Sequence, residues 1–299
     1  MDHVSSSNRA DVRDFLVTRR ARITPQQAGL TFYGGNRRVP GLRREEVAML
    51  AGVSADYYTR LEKGNLTGVS DTVLEAVAGA LQLNEAERLH LLDLARAANT
   101  SPARAARRKV PQQLRPSARL ILDGMTDVPA FVRNGRLDVL AANTLGRALY
   151  VPAFAVPGRD VNLARFRFLD PAARDFYPDF SESARTTVEL LRTEAGRDPF
   201  NTSLTALIGE LCTRSEEFRT MWADHDVRLH RSGLKRFRHP AVGSLDLLFE
   251  AMTLEADEGL TLTAYAAEPG TPSHDGLRLL ASWAATSRAE DVAPPPASR

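Results

Sequence analysis

The sequence has little of what secreted or membrane proteins need. It contains one cysteine, Cys212, among 299 residues, so no internal disulfide framework can form, and we expect a protein of the reducing cytoplasm. Cys212 falls in an apolar helical stretch and is predicted to fill a core rather than to act as a redox thiol. No run approaches the roughly 18 apolar residues of a membrane span, and residues 1–12 lack the apolar core of a secretory signal.

Motifs that indicate catalysis are also missing. The sequence contains no glycine-rich phosphate loop, no nucleophile elbow, no paired-cysteine zinc spacing and no metalloprotease helix motif. His225 and Asp226 are adjacent, as in some hydrolase metal sites, but His230 and His239 supply no matching ligand set. We therefore predict that the protein is not an enzyme and holds no metal and no resident cofactor.

Charge is distributed unevenly, although the net charge is only +2. Residues 1–119 contain 19 Lys and Arg against 12 Asp and Glu, whereas residues 120–299 contain 20 against 25. A basic N-terminal part beside an acidic remainder fits a DNA-binding domain joined to a sensing domain. Only three of the basic residues are lysine, so the arginine enrichment has a second explanation in GC-rich coding.

The segment LRREEVAMLAGVSADYYTRLEKG, residues 42–64, is the most informative part of the chain. Its first half has small apolar residues suited to close helix packing. Gly52 lies where the chain must reverse, and glycine adopts positive φ without steric cost. Ser54 is a good cap for a second helix, which ends at Gly64. This spacing is typical of a helix-turn-helix that places its second helix in the DNA major groove.

The two faces of the second helix have different predicted roles. Tyr58 and Leu61 are expected to pack against the core, which leaves the opposite face free to meet DNA. Glu62 is expected to pair with Arg19 or Arg20 of an earlier helix rather than to face DNA, because a carboxylate repels phosphate.

Contacts with DNA are predicted on the outer face of the motif. The predicted DNA-binding residues are Arg37, Arg38, Arg43, Arg44, Ser54, Ala55, Asp56, Tyr57, Thr59, Arg60 and Lys63. Basic members would neutralise phosphates and supply affinity, and the helix face would choose the sequence. Asp56 could accept from cytosine N4 or only stabilise the helix dipole, and Thr59 could contact a thymine methyl. Arg60 could contact phosphate or pair with Glu46, and the pair is slightly favoured.

The fold class predicted from periodicity is mainly α with α+β. Residues 11–99 are predicted to form a five-helix helix-turn-helix domain, 100–119 a basic linker and 120–288 a mixed domain, with disordered tails at 1–10 and 289–299. The linker charges could touch DNA or only solvate a connector. The predicted helices of the first domain are 11–22, 44–51, 54–63, 71–83 and 85–98, the last capped by Asn84.

The mixed domain is predicted to have an antiparallel sheet roofed by helices. Alternating apolar residues predict strands over 130–133, 137–141, 234–239, 242–251 and 260–266. The dipeptide Asn134-Gly135 is a strong hairpin signal between the first two strands. Helical segments are expected between about 144 and 225, and a last helix over 274–285.

Several segments resemble a known family. Residues 41–64 resemble the helix-turn-helix of XRE-type regulators, and more narrowly that of the MmyB-like transcription regulators. Residues 167–184 (RFLDPAARDFYPDFSESA), 218–252 and 260–282 resemble the PAS-like ligand-binding domain of the same family. The resemblance covers nearly the whole chain from about Arg13 to Trp283. It implies transcription regulation and an apolar small-molecule pocket beneath the sheet, suited to a long acyl chain.

Ligand contacts are predicted on one helix face that carries Trp222, His225 and Arg228. Arg228 could hold a ligand carboxylate or pair with Asp224, and Trp222 could line the pocket or belong to the core.

The partners predicted are double-stranded DNA, a small apolar effector, with a fatty-acyl ligand as one candidate, and a second copy of the chain. A homodimer is expected because such regulators bind two half-sites about 34–36 Å apart. Two alternatives remain open at this point. The first is a constitutive regulator whose C-terminal domain only dimerises, and the second is an enzyme fused to a DNA-binding domain.

Overall fold

The computed structural model describes residues 2–30, 39–99, 113–156, 158, 160–223 and 232–292. These residues group into two compact units. The first consists of the described residues up to 99 together with 189–209 and 220–223, and the second consists of 113–188, 210–219 and 232–292. No helix in the described part of the chain is long and apolar enough to cross a membrane. Four predicted site residues lie outside the described residues: Arg37, Arg38, His225 and Arg228.

Five helices build the N-terminal part of the first unit. They are α1 Asp2–Arg22, α2 Arg44–Leu50, α3 Ala55–Glu62, α4 Asp71–Ala80 and α5 Glu85–Ala98. The predicted helices are confirmed, but α1 begins earlier, at Asp2, and α4 ends before the predicted Leu83. The chain leaves α4 because Gln82 adopts a φ of 46°, a left-handed conformation that a helix interior does not accept.

The apolar stripe predicted on α1 forms the centre of this core. Val12, Phe15 and Leu16 are each no more than 1% exposed and pack in one cluster with Tyr58 and Leu61 of α3. Burying a side chain of this size stabilises a fold by roughly 1.5–3 kcal/mol. The core therefore fixes α3 through one face only and leaves its other face to solvent.

The predicted Asn84 cap of α5 is present, and the structure adds a reciprocal bond from Glu87. The Asn84 side chain accepts from the backbone N–H of Glu87 at 3.0 Å, and the Glu87 carboxylate accepts from the backbone N–H of Asn84 at 3.0 Å. Both bonds satisfy donors that would otherwise lack partners at a helix start.

The second unit is built on a five-stranded antiparallel sheet with the order β2-β1-β5-β4-β3. Its strands are β1 Ala130–Asn134, β2 Val139–Ala142, β3 Ser232–His239, β4 Gly243–Thr253 and β5 Leu260–Ala266. All five predicted strands are present, and the predicted class, mainly α with α+β, is confirmed.

The first hairpin differs from its predicted geometry. Strand β2 begins at Val139 rather than Leu137, because Leu137 takes a φ of 67° and ends the turn. The Asn134 side chain accepts from the backbone N–H groups of Arg136 and Asp138, both at 3.0 Å. This side-chain turn lengthens the loop, a familiar use of asparagine, and it replaces the two-residue turn predicted at Asn134-Gly135.

Helices cover both faces of the sheet. The remaining helices are α6 Pro116–Gly124, α7 Thr144–Leu149, α8 Leu163–Leu169, α9 Ala172–Phe176, α10 Phe180–Arg197, α11 Thr202–Arg214, α12 Glu216–Ala223 and α13 Pro272–Val292. Helix α6 begins inside the segment predicted as a linker and packs Leu122 on one face of the sheet. Helix α13 packs Leu277 and Leu280 on the opposite face. Cys212 of α11 is half-buried.

Candidate DNA interface and effector site

Helix α3 is fixed at both ends by the residues that the sequence indicated. The Ser54 hydroxyl accepts from the backbone N–H of Tyr57 at 3.1 Å, which caps the first turn. Gly52, in the turn before α3, has a φ of 66°. Gly64, after its last turn, has a φ of 90°, and a Cβ atom there would overlap the backbone of Arg9. The helix-turn-helix geometry therefore depends on both glycines.

The inner face of α3 matches its prediction. Tyr58 is fully buried, and Leu61 is 1% exposed. Val53, in the turn, is half-buried against the same cluster. These contacts set the roll of α3 about its axis and so determine which side chains point outward.

The outer face of α3 carries the residues predicted to meet DNA. Ala55, Asp56, Arg60 and Lys63 are exposed, and Tyr57 and Thr59 are half-buried. The Arg60 guanidinium lies 5.0 Å from the centre of the Tyr57 ring. This stacking holds Arg60 along the helix surface rather than beside Glu46, whose carboxylate accepts from the backbone N–H of Arg43 at 2.6 Å.

Glu62 ties three helices together. Its carboxylate accepts from Arg20 Nε of α1 at 2.6 Å and from Arg44 Nε of α2 at 2.6 Å, and its side chain is only 1% exposed. Burial opposes ionisation, but the hydrogen bonds and charges of the two arginines outweigh it and hold the pKa of Glu62 below its usual value. The predicted pairing with α1 is confirmed, with Arg20 as the partner.

The ion pair with Glu62 limits which atoms of Arg44 can contact DNA. Its Nε is committed to Glu62, yet its side chain is 52% exposed. Arg43, the residue before α2, is exposed as well. The motif thus presents Arg43, Arg44, Arg60 and Lys63 to solvent, while the Glu62 carboxylate is buried and neutralised.

In the second unit, aromatic side chains fill the inner face of the sheet. Ring centres of neighbouring members lie 4.8–6.2 Å apart, mostly at steep angles. The members of this aromatic cluster are Phe131, Tyr150, Phe176, Tyr177, Phe237 and Tyr265. All are buried, and edge-to-face packing of this kind adds stability beyond the area it buries.

Two basic side chains enter the aromatic cluster. Lys235 Nζ lies 3.3 Å from the Tyr150 hydroxyl and 5.3 Å from the centre of the Tyr177 ring. The Arg167 guanidinium lies 3.3 Å from the centre of the same Tyr177 ring, and Arg167 is 4% exposed. The Tyr150 and Tyr265 hydroxyls are hydrogen-bonded at 2.6 Å.

Burial is the main influence on the pKa values of Arg167 and Lys235. It lowers the pKa of Arg167, and it lowers the pKa of Lys235 well below its usual value, with further lowering by the charges of Arg167 and Arg133. Sequence reasoning missed both residues. One signal was available, because Lys235 shares the strand parity of the buried Phe237 and His239 in β3.

Trp222, the one predicted ligand residue within the described part of the chain, lies outside the aromatic cluster. Trp222 of α12 belongs to the first unit, where the Arg192 guanidinium lies 4.4 Å from its ring centre and donates to its backbone carbonyl. With Phe15 and His90 it lines a small cavity of about 20 Å³, room for one water molecule. The aromatic cluster of the second unit does not include Trp222.

Two protein-family models match the chain. Residues 17–91 match the helix-turn-helix domain model, and residues 114–280 match the model for the MmyB-like transcription regulator ligand binding domain. A search of curated proteins gave no match. The two-part architecture implied by the resemblance is thereby confirmed.

Proposed function

The chain belongs to the MmyB-like transcription regulator family by its ligand-binding domain, and from that premise we propose that it is a sequence-specific, XRE-type regulator whose DNA affinity responds to a small effector. Both matched domains are regulatory rather than enzymatic. One observation carries the DNA-binding part. Helix α3 is held by Tyr58, Leu61 and Glu62 on one side and leaves Ala55, Asp56 and Lys63 exposed on the other.

Affinity for DNA would come from the exposed basic residues. Arg43, Arg44, Arg60 and Lys63 surround α3 in the described part, and Arg37 and Arg38 precede it in the sequence. Sequence preference would come from Ala55, Asp56, Tyr57 and Thr59, with Ser54 at the helix start. Each good base contact contributes roughly 1–3 kcal/mol of discrimination.

A second copy of the chain completes the proposal. A single α3 covers one half-site, and repressors of this type pair two half-sites related by a two-fold axis. The protein would therefore act as a homodimer in the cytoplasm, the compartment that contains the genomic DNA of a cell without a nucleus.

The effector would bind within the matched ligand-binding domain, residues 114–280, as a molecule with an apolar body. The aromatic cluster supplies apolar walls of the kind that line ligand pockets, and a fatty-acyl ligand is one candidate. Trp222, His225 and Arg228 stay as proposed ligand contacts. The effector would change operator affinity only as far as it binds two arrangements of the protein with different affinities.

Selection of bound sequences from random duplex DNA tests this proposal. We expect an enriched inverted repeat with half-sites about 34–36 Å apart. Protein that shows no attraction to any duplex at low ionic strength would overturn it. Native mass spectrometry tests the effector: intact dimers without any co-purifying small molecule would favour a C-terminal domain that only dimerises.

A further inference from the structure

Large apolar side chains are exposed on the side of the second unit that carries α6. We propose that this side is the surface through which two copies of the chain form their homodimer. The inference rests on the proposed function, which requires a second copy, and it adds the surface that joins the two. We call it the outer face, and its exposed large apolar members are Leu120, Ile121, Leu234, Leu248 and Met252.

Strand pairing places three of these side chains on the sheet face that α6 covers. Met252 lies opposite Leu262 in the β4–β5 ladder, and Leu262 packs in one cluster with Leu122 of α6. Alternate residues of a strand point to the same face, so Leu248 shares the face of Met252. Leu234 lies directly opposite Leu248 in the β3–β4 ladder. Strands β3 and β4 therefore present a leucine pair beside the region that α6 covers.

The leucine pair is open to solvent, whereas the neighbouring strand is covered. Leu234 is 52% exposed and Leu248 is 51% exposed, but Leu260 and Leu262 of β5 are buried against α6. Exposed apolar residues of soluble proteins are normally scattered, and a concentration of them marks an interaction site. Five of the eleven large apolar side chains exposed in the described part of the chain belong to the outer face, so the exposure is concentrated here.

Helix α6 extends this apolar surface. Its Leu122 is buried against the sheet, while Leu120 is 74% exposed and Ile121 is 64% exposed on its outward side. A helix between a core and water carries polar residues on its water side. The apolar outward side of α6 therefore fits a helix that packs between the sheet and a partner.

Charges next to the leucine pair make the outer face complementary to itself. Arg236 and Asp246, both exposed, lie opposite each other in the ladder, two residues along from the leucine pair. A two-fold axis parallel to the strands, between β3 and β4, places Leu234 of each copy on Leu248 of the other. The same axis brings Arg236 of each copy to Asp246 of the other.

This arrangement identifies the partner. Contact of one surface with its own copy closes a dimer, and an axis parallel to the strands keeps the two sheets aligned, as in face-to-face sheet packing. The apolar pair meets an apolar pair, and each charge beside it meets its opposite. A second copy of the chain is therefore the partner that the outer face fits.

Sedimentation velocity of the full-length protein tests the surface. Leu248→Arg should raise the dimer dissociation constant at least tenfold, because a charge would then lie within the apolar contact. Leu279→Arg is the matched control, because Leu279 is an exposed leucine of α13, the helix on the opposite face of the sheet. The control should change the dissociation constant by less than about twofold.

Two outcomes would overturn the inference. One is a dissociation constant of Leu248→Arg equal to that of the wild type, and the other is a wild-type protein that stays monomeric at micromolar concentration. In the second case, co-sedimentation of the monomer with phosphatidylcholine vesicles would assign the outer face to a lipid surface instead.

Charge exchange tests the two-fold pairing without any change at the leucine pair. Within one chain, Arg236 lies 3.0 Å from Asp179 and 3.9 Å from Asp246, so a single substitution also disturbs contacts inside the chain. Arg236→Glu and Asp246→Arg should each weaken the homodimer, because each brings like charges together on both sides of the axis. An equimolar mixture of the two variants should restore dimers, since each chain then supplies the charge that the other lacks. A mixture that forms no more dimer than either variant alone would overturn the pairing on which the inference depends.

The same samples separate this inference from the proposed function. A gel shift with selected operator DNA reports DNA binding independently of the dimer dissociation constant. A Leu248→Arg protein that is as dimeric as the wild type would refute the outer face and leave the proposed homodimer and its operator standing. A wild type that dimerises through the outer face but binds no duplex would refute the proposed regulator and leave the surface standing.

Discussion

Arg44 Nε donates to Glu62 Oε1 at 2.6 Å, which joins the two helices of the DNA-binding motif through one buried carboxylate. Arg20 of α1 completes the arrangement at 2.6 Å. The angle between α2 and α3 is therefore supported by electrostatics as well as by apolar packing. Any change at Glu62 should affect the stability of the motif and the presentation of α3 together.

Replacing Glu62 by glutamine should lower the free energy of unfolding by about 2–3 kcal/mol, because an uncharged amide leaves the largely buried Arg20 without its counter-ion. Urea denaturation followed by circular dichroism measures the loss. Asp56→Asn, on the exposed face of the same helix, is the matched control and should change stability by less than about 0.5 kcal/mol. An equal effect of both substitutions would contradict the role given to Glu62.

The same carboxylate should make stability depend on pH. The pKa of Glu62 in the folded protein is lowered from its ordinary value of 4.5, so its contribution is fully present above that value and is lost as the pH falls through the folded pKa. The difference in unfolding free energy between wild type and Glu62→Gln should therefore shrink below about pH 4.5. A difference that stays constant from pH 7 to pH 3 would show that ionisation of Glu62 is not involved.

Lys63→Ala should weaken binding to all duplexes alike. Lys63 is exposed at the end of α3, and each phosphate contact contributes about 0.9 to the slope of log affinity against log salt. Fluorescence anisotropy over a salt series should show a slope smaller by roughly that amount. Thr67→Ala, another exposed position beyond the motif, is expected to leave the slope unchanged. A slope for Lys63→Ala equal to that of the wild type would contradict a phosphate contact by Lys63.

Thr59→Ala should change which sequences are preferred rather than how strongly DNA is held in general. Thr59 is half-buried on the side of α3 proposed to face DNA, where a contact with one base would contribute roughly 1–3 kcal/mol of discrimination. Repeating the sequence selection with the variant should relax one position per half-site. A uniform loss over all sequences would place Thr59 in the scaffold.

Arg167→Met should raise the melting temperature of the protein. Arg167 is 4% exposed, and its Nε and Nη1 atoms have no hydrogen-bond partner within the described residues. Replacing buried ionic groups by apolar side chains of similar volume commonly gains about 1–4 kcal/mol. A gain of about 1 kcal/mol corresponds to a melting temperature higher by roughly 2–4 °C. Arg238→Met, at an exposed position of β3, should leave the melting temperature unchanged. A lower melting temperature for Arg167→Met would mean that Arg167 supports the fold.

Local signals predicted much of the fold. The helix period placed Val12, Phe15 and Leu16 in the core, and turn chemistry located α3 between Ser54 and Gly64, because both depend on neighbours within a few residues. The pairing of Glu62 with α1 also followed, since a carboxylate on a DNA-binding helix needs a counter-ion.

Contacts between distant segments could not be predicted in the same way. Arg167 and Lys235 are separated by 68 positions in the sequence, and both reach the Tyr177 ring only through the tertiary fold. The helical spacing of Trp222 indicated a ligand face, and local spacing could not show that its described neighbours would belong to the first unit. The first hairpin also departs from its prediction, because the Asn134 side chain lengthens a turn that the dipeptide Asn134-Gly135 alone predicted as two residues long.

The glycine that follows α3 has a consequence for how the motif can evolve. Gly64 lets the main chain of α1 come within touching distance of the main chain at the end of α3. A Cβ atom at position 64 would overlap the backbone of Arg9 and would push α3 away from α1. Operator preference can therefore change through the outward side chains of α3, whereas the position of the helix depends on a glycine that packs against α1.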